Sequence, residues 1–331
     1  MPIISAPQEY NEDNLYVDLR PAFGQALYLK CEAFNFAGSV KLKAALEMIT
    51  SAERRGLLTP GSTLVESSSG NLGVALSMIA ADRGYGFVCV TDARCNEATR
   101  RMMEAFGARV HVVTEPAAEG GFLGARIAHV RMLCAQNGFV WLNQYGNRDN
   151  WMAHYLTTAP AIARQFPDVD VLFVGAGTTG TLMGCARYFR TARRAPRIVA
   201  VDVEGSVTFG RAPARRLIPG LGTSVRPGIL NESFVDEVVH VTEPDAVRRC
   251  RELARRGFLF GGSTGTVIAG ALAWLDVNAG SSPVTAVAIA PDFGERYLAT
   301  VYDDAWVRES YWPEYEPAYE DGRLSELNAA H

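Results

Sequence analysis

The chain has 331 residues, a formal net charge of −4, and 48% hydrophobic against 21% charged side chains. That balance suits a compact protein of one large or two closely packed domains. It contains no basic block and no basic stripe interleaved with aromatics, which argues against nucleic acid or an anionic membrane surface as a partner.

Apolar runs and helical patterns alternate along the chain. Leu27 to Cys31 reads as a strand, Val40 to Arg55 as a helix, Thr63 to Glu66 as a strand and Leu72 to Arg83 as a helix. The unit then repeats. Strand Phe87 to Thr91 leads to helix Asn96 to Phe106, strand Arg109 to Val113 to helix Leu123 to Gln136, and strand Phe139 to Leu142 to helix Trp151 to Gln165. Strand Val169 to Val174, helix Gly180 to Arg193 and strand Arg197 to Val203 follow. Strand Glu237 to Thr242, helices Pro244 to Arg256 and Thr264 to Asn278, and strand Val284 to Ala290 complete the series. This order predicts an α/β, mainly parallel architecture.

The stretch Glu204 to Glu232 breaks the rhythm with Gly, Pro and Arg and no clear period, which marks a long loop of the kind that often serves as a mobile active-site element. The tail Tyr311 to Glu320, YWPEYEPAYE, is aromatic and acidic and is expected to lie over the surface or against a second subunit. No apolar stretch approaches the roughly 20 residues that span a bilayer. The opening MPIISAPQEYNEDNLY lacks the basic and apolar regions of a signal peptide, so a cytoplasmic location is expected. The six cysteines form no CxxC pair and the five histidines no HxxxH or HExxH spacing, which points to buried thiols and to no metal site.

Of 32 basic residues, 29 are arginine and three are lysine, Lys30, Lys41 and Lys43. Arginine stays protonated in proteins, so any chemistry that needs a neutral amine is narrowed to these three. In NFAGSVKLK (35–43), Ser39 is placed to cap the following helix and Lys41 falls in its first turn. The positive helix end and a desolvated pocket would both lower its amine pKa. Lys43, two residues on, is a neighbour able to tune it further.

Three glycine- and hydroxyl-rich turns follow, each between a strand and a helix. ESSSGNLGVAL (66–76) brings backbone N–H groups and hydroxyls to a helix N-terminus, an anion cradle suited to a carboxylate. VLFVGAGTTGTLMG (171–184) matches GxGxxG through Gly175, Gly177 and Gly180, with Asp202 lying 22 residues beyond Gly180 as a dinucleotide fingerprint asks. A nicotinamide-dependent dehydrogenase therefore stays open at this point. Yet Thr178, Thr179 and Thr181 add donors that suit a terminal phosphate monoester equally well. FLFGGSTGTVIAG (258–270) offers Ser263 as a neutral hydroxyl, and PDFGERYL (291–298) carries a charged cluster able to brace a loop. Each turn alone also fits an ordinary helix cap.

Together, GSVK, SSSGNLG, GAGTTGT, GGSTG and PDFGERYL resemble, in order and spacing from about Leu27 to Tyr302, the fold-type II pyridoxal-phosphate enzymes of the cysteine synthase and cystathionine β-synthase family. The resemblance implies two open, mainly parallel sheet domains of the tryptophan synthase β-like type. A smaller one, 36–145, would bind the substrate carboxylate, and a larger one, 1–35 with 146–331, the cofactor phosphate. It implies that Lys41 binds pyridoxal 5′-phosphate covalently and later moves the α-proton. Asn71 would bond the pyridoxal 3′-oxygen, Gly177, Thr178, Thr179, Gly180 and Thr181 the phosphate, and Ser263 the pyridine nitrogen. Ser68, Ser69 and Gly70 would take the amino-acid carboxylate. A homodimer and loss of a β-leaving group before addition of a nucleophile are further implications.

The family pattern is not followed everywhere. Most cysteine synthases carry Thr-Ser-Gly-Asn-Thr at the carboxylate loop and Lys-Asp-Arg after the cofactor lysine, where this chain has SSGNL and Leu42-Lys43. EPAAEGGFLGARIA (115–128), NQYGN (143–147), VDVEGSVTFG (201–210) and RLIPGLGTSVRPGIL (216–230) resemble the branch that joins O-phosphoserine and glutamate into N-(2-amino-2-carboxyethyl)-L-glutamate, on the way to 2,3-diaminopropionate. Those substrates would call for arginines, and Arg126 first, then Arg216 and Arg226, lie in these segments. Gln144 and Tyr145 would line the nucleophile pocket. Cysteine synthesis by sulfide addition stays open beside this reading.

Overall fold

The computed structural model describes residues 3–278 and 284–311. The chain begins with β1 (Tyr16–Asp18), α1 (Arg20–Phe23) and β2 (Leu27–Cys31). Next come α2 (Lys41–Arg54), β3 (Thr63–Ser67), α3 (Asn71–Arg83), β4 (Gly86–Asp92), α4 (Glu97–Ala105), β5 (Arg109–Val113), α5 (Gly121–Asn137) and β6 (Val140–Trp141). The rest comprises α6 (Arg148–Leu156), α7 (Thr158–Gln165), β7 (Val171–Gly175), α8 (Gly180–Phe189), β8 (Arg197–Val203), β9 (Glu237–Val241), α9 (Glu243–Ala254), α10 (Gly262–Asn278), β10 (Ala286–Ala290) and α11 (Asp304–Tyr311).

Two sheets result. One has six strands in the order β1-β2-β10-β7-β8-β9, the other four in the order β5-β4-β3-β6. Among the described residues the pairings are parallel except that of β1 with β2. Parallel strands need cover on both faces, which is why they read as continuous apolar runs; β10 is buried along its whole length. In the larger sheet Leu29, Phe173 and Val199 pack on Val267, Ile268 and Leu272 of α10. The alternate residues Leu172, Val174 and Ile198 pack on Ile162 of α7 and on Leu182 and Met183 of α8. In the smaller sheet Leu64 faces Met48, Ile49, Leu76 and Ile79 of α2 and α3. Its neighbour Val65 faces Val130 and Leu133 of α5. Each fully buried aliphatic of this kind contributes roughly 1.5–3 kcal/mol.

The α/β reading of the sequence holds, with local differences. The helix expected over Trp151 to Gln165 is two helices, parted at Thr157 (φ −125°, ψ −69°). Pro160 is the physical cause: it has no N–H for the Leu156 carbonyl, and its ring crowds that oxygen. Thr157 instead donates its hydroxyl to the Ala153 carbonyl at 2.7 Å. The stretch Glu204 to Glu232 is a long loop, tied down by Val207 N–H to the Thr223 carbonyl (3.0 Å) and Gly222 N–H to the Ala176 carbonyl (2.8 Å). Of the aromatic tail only Tyr311 falls within the described residues, where it is buried and donates to Glu243 at 3.0 Å. Among the described residues no helix is long and apolar enough to cross a membrane.

Helices α6 and α8 approach closely because α8 carries Gly184. A Cβ there would overlap the Trp151 carbonyl and lie 2.6 Å from the His154 Cβ. Replacing Gly184 with Ala is therefore expected to cost about 1–3 kcal/mol, lowering the urea midpoint; an unchanged midpoint would contradict this packing.

Candidate active site

A cavity of about 200 Å³ opens where the carboxyl ends of β3, β4, β7 and β10 meet, the position at which open α/β sheets hold ligands. Helices α2, α3, α8 and α10 start around it, so several unpaired backbone N–H groups point at one space. The residues singled out from the sequence, Lys41, Ser68, Ser69, Gly70, Asn71, Arg126, Gln144, Tyr145, Gly177, Thr178, Thr179, Gly180, Thr181, Arg216 and Ser263, all line this cavity. Arg226 does not. It pairs with Glu232 on the surface.

Lys41 opens α2, and the Ser39 hydroxyl accepts the Lys41 N–H at 3.4 Å in a local turn while Val40 occupies the capping position. Burial pushes the Lys41 amine down to about 8, against the opposing pull of the Asp292 carboxylate. Lys43 has no part in that shift. Its side chain turns away to pair with Asp13 and, at 2.6 Å, with Glu32.

Asn71, the first residue of α3, donates its amide to Asp292 at 2.7 Å and accepts from Arg296. Asp292 also accepts the Tyr297 hydroxyl at 2.7 Å, and Arg296 donates to the Ala37 carbonyl at 2.8 Å. The PDFGERYL cluster thus braces the side chain that faces the cavity. In the preceding turn the Ser68 hydroxyl accepts the Gly70 and Gly73 N–H groups at 3.3 and 3.0 Å. Ser68 therefore shapes the loop, leaving Ser69 and the helix start to face a ligand. Below it Gln144 donates to the Ser67 carbonyl at 2.8 Å. The Gln144 N–H reaches Glu66, whose carboxyl burial pushes up to about 7.

The glycine and threonine turn is compact. A Cβ at Gly177 would lie 2.7 Å from the Gly220 carbonyl, and one at Gly180 would overlap the Asn150 side chain. Thr179 adopts φ 66°, a left-handed conformation costly to a branched residue. Its hydroxyl is buried without a protein partner among the described residues.

Arg94 also lines the cavity and was not singled out from the sequence, and beside it lies the run Leu217 to Ser224, part of the 216–230 segment that the sequence did single out. Arg94 and Arg126 share the buried carboxylate of Asp92, at 3.4 and 3.3 Å. Arg216 donates to the Thr223 carbonyl and the Ser224 hydroxyl at 3.1 and 3.0 Å. Among the described residues the lining includes four cationic side chains, Lys41, Arg94, Arg126 and Arg216, and no carboxylate. A phosphorylated cofactor fits this donor-rich wall, which offers an anion the orphaned Thr179 hydroxyl and the start of α8, and a carbonyl the Lys41 amine. Asp202 bears on the dinucleotide alternative. It is buried and does not line the cavity, so it does not reach a ribose bound there.

Residues 16–292 match the family described as pyridoxal-phosphate dependent enzyme. The chain is 41% identical to N-(2-amino-2-carboxyethyl)-L-glutamate synthase of Cupriavidus metallidurans, over 88% of this chain and 87% of that protein. It is 40% identical to the synthase of the same name from Ralstonia nicotianae, over 85% and 83%. Among solved structures it resembles O-ureido-L-serine synthase, with a TM-score of 0.85 at 30% identity over 99% of this chain and 100% of that one. It also resembles the O-acetylserine dependent cystathionine β-synthase of Helicobacter pylori, with a TM-score of 0.83 at 26% identity over 91% and 99%. The fold is that of the fold-type II enzymes, the cofactor is pyridoxal 5′-phosphate, and the reaction is a β-replacement of the synthase kind. The chain belongs to the pyridoxal-phosphate dependent enzymes.

Proposed function

We propose that the enzyme joins O-phospho-L-serine to L-glutamate, releasing phosphate and giving N-(2-amino-2-carboxyethyl)-L-glutamate, a precursor of L-2,3-diaminopropionate for siderophore or peptide-antibiotic biosynthesis. The observation that carries this reading is the cavity wall, with Arg94, Arg126 and Arg216 and, among the described residues, no acidic side chain. A phosphate leaving group and a dicarboxylate nucleophile bring several negative charges, which guanidinium groups meet with charge-assisted, often bidentate bonds. Sulfide asks for none of this. The names of the two bacterial relatives point the same way.

When bound, pyridoxal phosphate supplies an electron sink for the substrate α-carbon. Gly177 to Thr181 hold its phosphate, Asn71 its 3′-oxygen, and Ser263 its pyridine nitrogen through a neutral hydroxyl. A neutral partner leaves that nitrogen largely unprotonated, which suits departure of a β-substituent. Ser69 and Gly70, on a loop fixed by Ser68, receive the amino-acid carboxylate. Lys41 holds the cofactor and, once released, moves the α-proton; an amine near 8 is neutral in a useful fraction close to neutral pH. The Cβ–O bond to phosphate breaks, and the glutamate nitrogen bonds the same carbon and loses a proton. Gln144 and Tyr145 face the incoming amine. In this reading the unit 36–145 carries the carboxylate loop, 1–35 with 146–331 carries the phosphate loop, and the enzyme works as a cytoplasmic homodimer.

Incubating the purified enzyme with O-phosphoserine and either glutamate or sulfide, and weighing the products, tests the substrate assignment. The adduct with glutamate is expected, and cysteine alone would contradict it. Replacing Arg126 with Lys keeps a charge near Asp92 but removes the guanidinium fork. It should raise the glutamate KM by roughly tenfold or more while kcat changes less. Equal KM values would remove Arg126 from the substrate site.

A further inference from the structure

Helix α6 carries Asn150 and His154 four residues apart, hence on one face, and both are buried. Neither lines the cavity, yet each reaches the hydroxyl of a residue that does. The Asn150 Nδ2 donates to the Thr178 Oγ1 at 3.1 Å, and the His154 Nε2 lies 3.2 Å from the Thr181 Oγ1. On its far side the His154 Nδ1 lies 3.0 Å from the Thr158 Oγ1. That oxygen accepts from the Lys43 Nζ at 3.1 Å.

The direction of each bond follows from the ends. Burial works against charge on Lys43, but Glu32 and Asp13 hold its ammonium protonated, and an ammonium can only donate. The Thr158 oxygen therefore accepts from Lys43, and with the His154 Nδ1 as its other partner among the described residues its single proton goes to that nitrogen. His154 is neutral, its pKa pushed down to about 3 by burial and by Lys43. A neutral imidazole that accepts at Nδ1 carries its proton on Nε2, which donates to the Thr181 Oγ1. The hydroxyl proton of Thr181 is then left for the cavity. At Asn150 the amide orientation is set by the Gln144 carbonyl, which accepts from Nδ2 at 2.7 Å. Thr178 is thus also an acceptor on its protein side.

We infer that Lys43, Thr158 and His154 form a proton-ordering chain behind the glycine and threonine turn, with Asn150 oriented separately by the Gln144 carbonyl, and that together they make Thr181 and Thr178 donors toward the phosphate of the cofactor. A hydroxyl left to itself divides its time between donating and accepting, whereas an anion needs donors only. His154 and Asn150 are positioning residues, acting through the threonines. The inference rests on the proposed assignment of Gly177 to Thr181 to the phosphate.

Histidine-labelled holoenzyme gives a direct reading. A nitrogen-15 correlation spectrum, with the His154 signal identified by its loss in His154→Phe, should show a protonated Nε2 and a bare Nδ1. The opposite tautomer or an imidazolium would overturn the chain. Titrating the full chain with pyridoxal phosphate, and with pyridoxal, which lacks the phosphate, gives the second reading. His154→Phe should weaken pyridoxal phosphate about tenfold and pyridoxal less than about twofold. Equal weakening of both, or of neither, would overturn the proposal. Thr181→Val separates the two levels. If it leaves pyridoxal phosphate affinity unchanged, the phosphate assignment itself fails; if it is selective while His154→Phe is not, only the proton-ordering chain fails.

Discussion

One buried carboxylate, Asp292, joins the layers of the two sheets beside the candidate site. It stands two residues beyond β10, the strand between β2 and β7 in the larger sheet. From there it accepts the amide of Asn71, which opens a helix of the smaller sheet's layer, and the hydroxyl of Tyr297. Its backbone bridges Ser39, and the Val40 N–H donates to the Pro291 carbonyl at 2.7 Å, so the turn that presents Lys41 is fastened to the same spot. Gly261 gives way to it, since a Cβ there would overlap the carboxylate. Burying such a group is costly without partners. Burial raises its pKa while Asn71 and Tyr297 hold the anion against that rise. The same anion lies close enough to temper the loss of basicity that burial imposes on Lys41.

Around this anchor the parallel topology does most of the positioning. Strands running the same way deliver their carboxyl ends, and the helix starts that follow them, to one side of each sheet. The cavity collects four of these helix starts and four cationic side chains, while the carboxylates Asp92 and Asp292 are held behind the lining by other partners. A space built this way favours ligands with several negative groups. That is a property of a phosphorylated cofactor, of amino-acid carboxylates and of a phosphate leaving group alike.

What the sequence made legible follows from how local each signal is. Leu27 to Cys31 and Arg197 to Val203 match their strands end to end, because a strand covered on both faces stays mostly apolar along its length, here with Lys30, Arg197 and Asp202 as the polar exceptions. The glycine turns were legible because close backbone approaches, such as Gly177 to the Gly220 carbonyl, admit no side chain. Pro160 carried the signal that splits α6 from α7, and an otherwise continuous helical pattern outweighed it. The three-residue β1 is too short for any periodicity. Arg94 joins the site only through the fold, so no window reveals it; the windows 216–230 and 291–298 marked their segments, but not the contacts distant in sequence that Leu217 to Ser224 and Asp292 make. Lys43 is the reverse case. Two residues along a helix is a rotation of about 200°, so its nearness to Lys41 in sequence places it on the other side, in the Glu32 cluster.

The proposed function makes Lys41 the single covalent anchor, in a chain whose other two lysines, Lys30 and Lys43, are both held by Glu32. Reducing the holoenzyme with borohydride fixes the cofactor to whichever amine carries it, and peptide mass mapping then locates the label. One pyridoxyl phosphate per chain, on Lys41, is the expected result. A label on Lys30 or Lys43, or none at all, would contradict it.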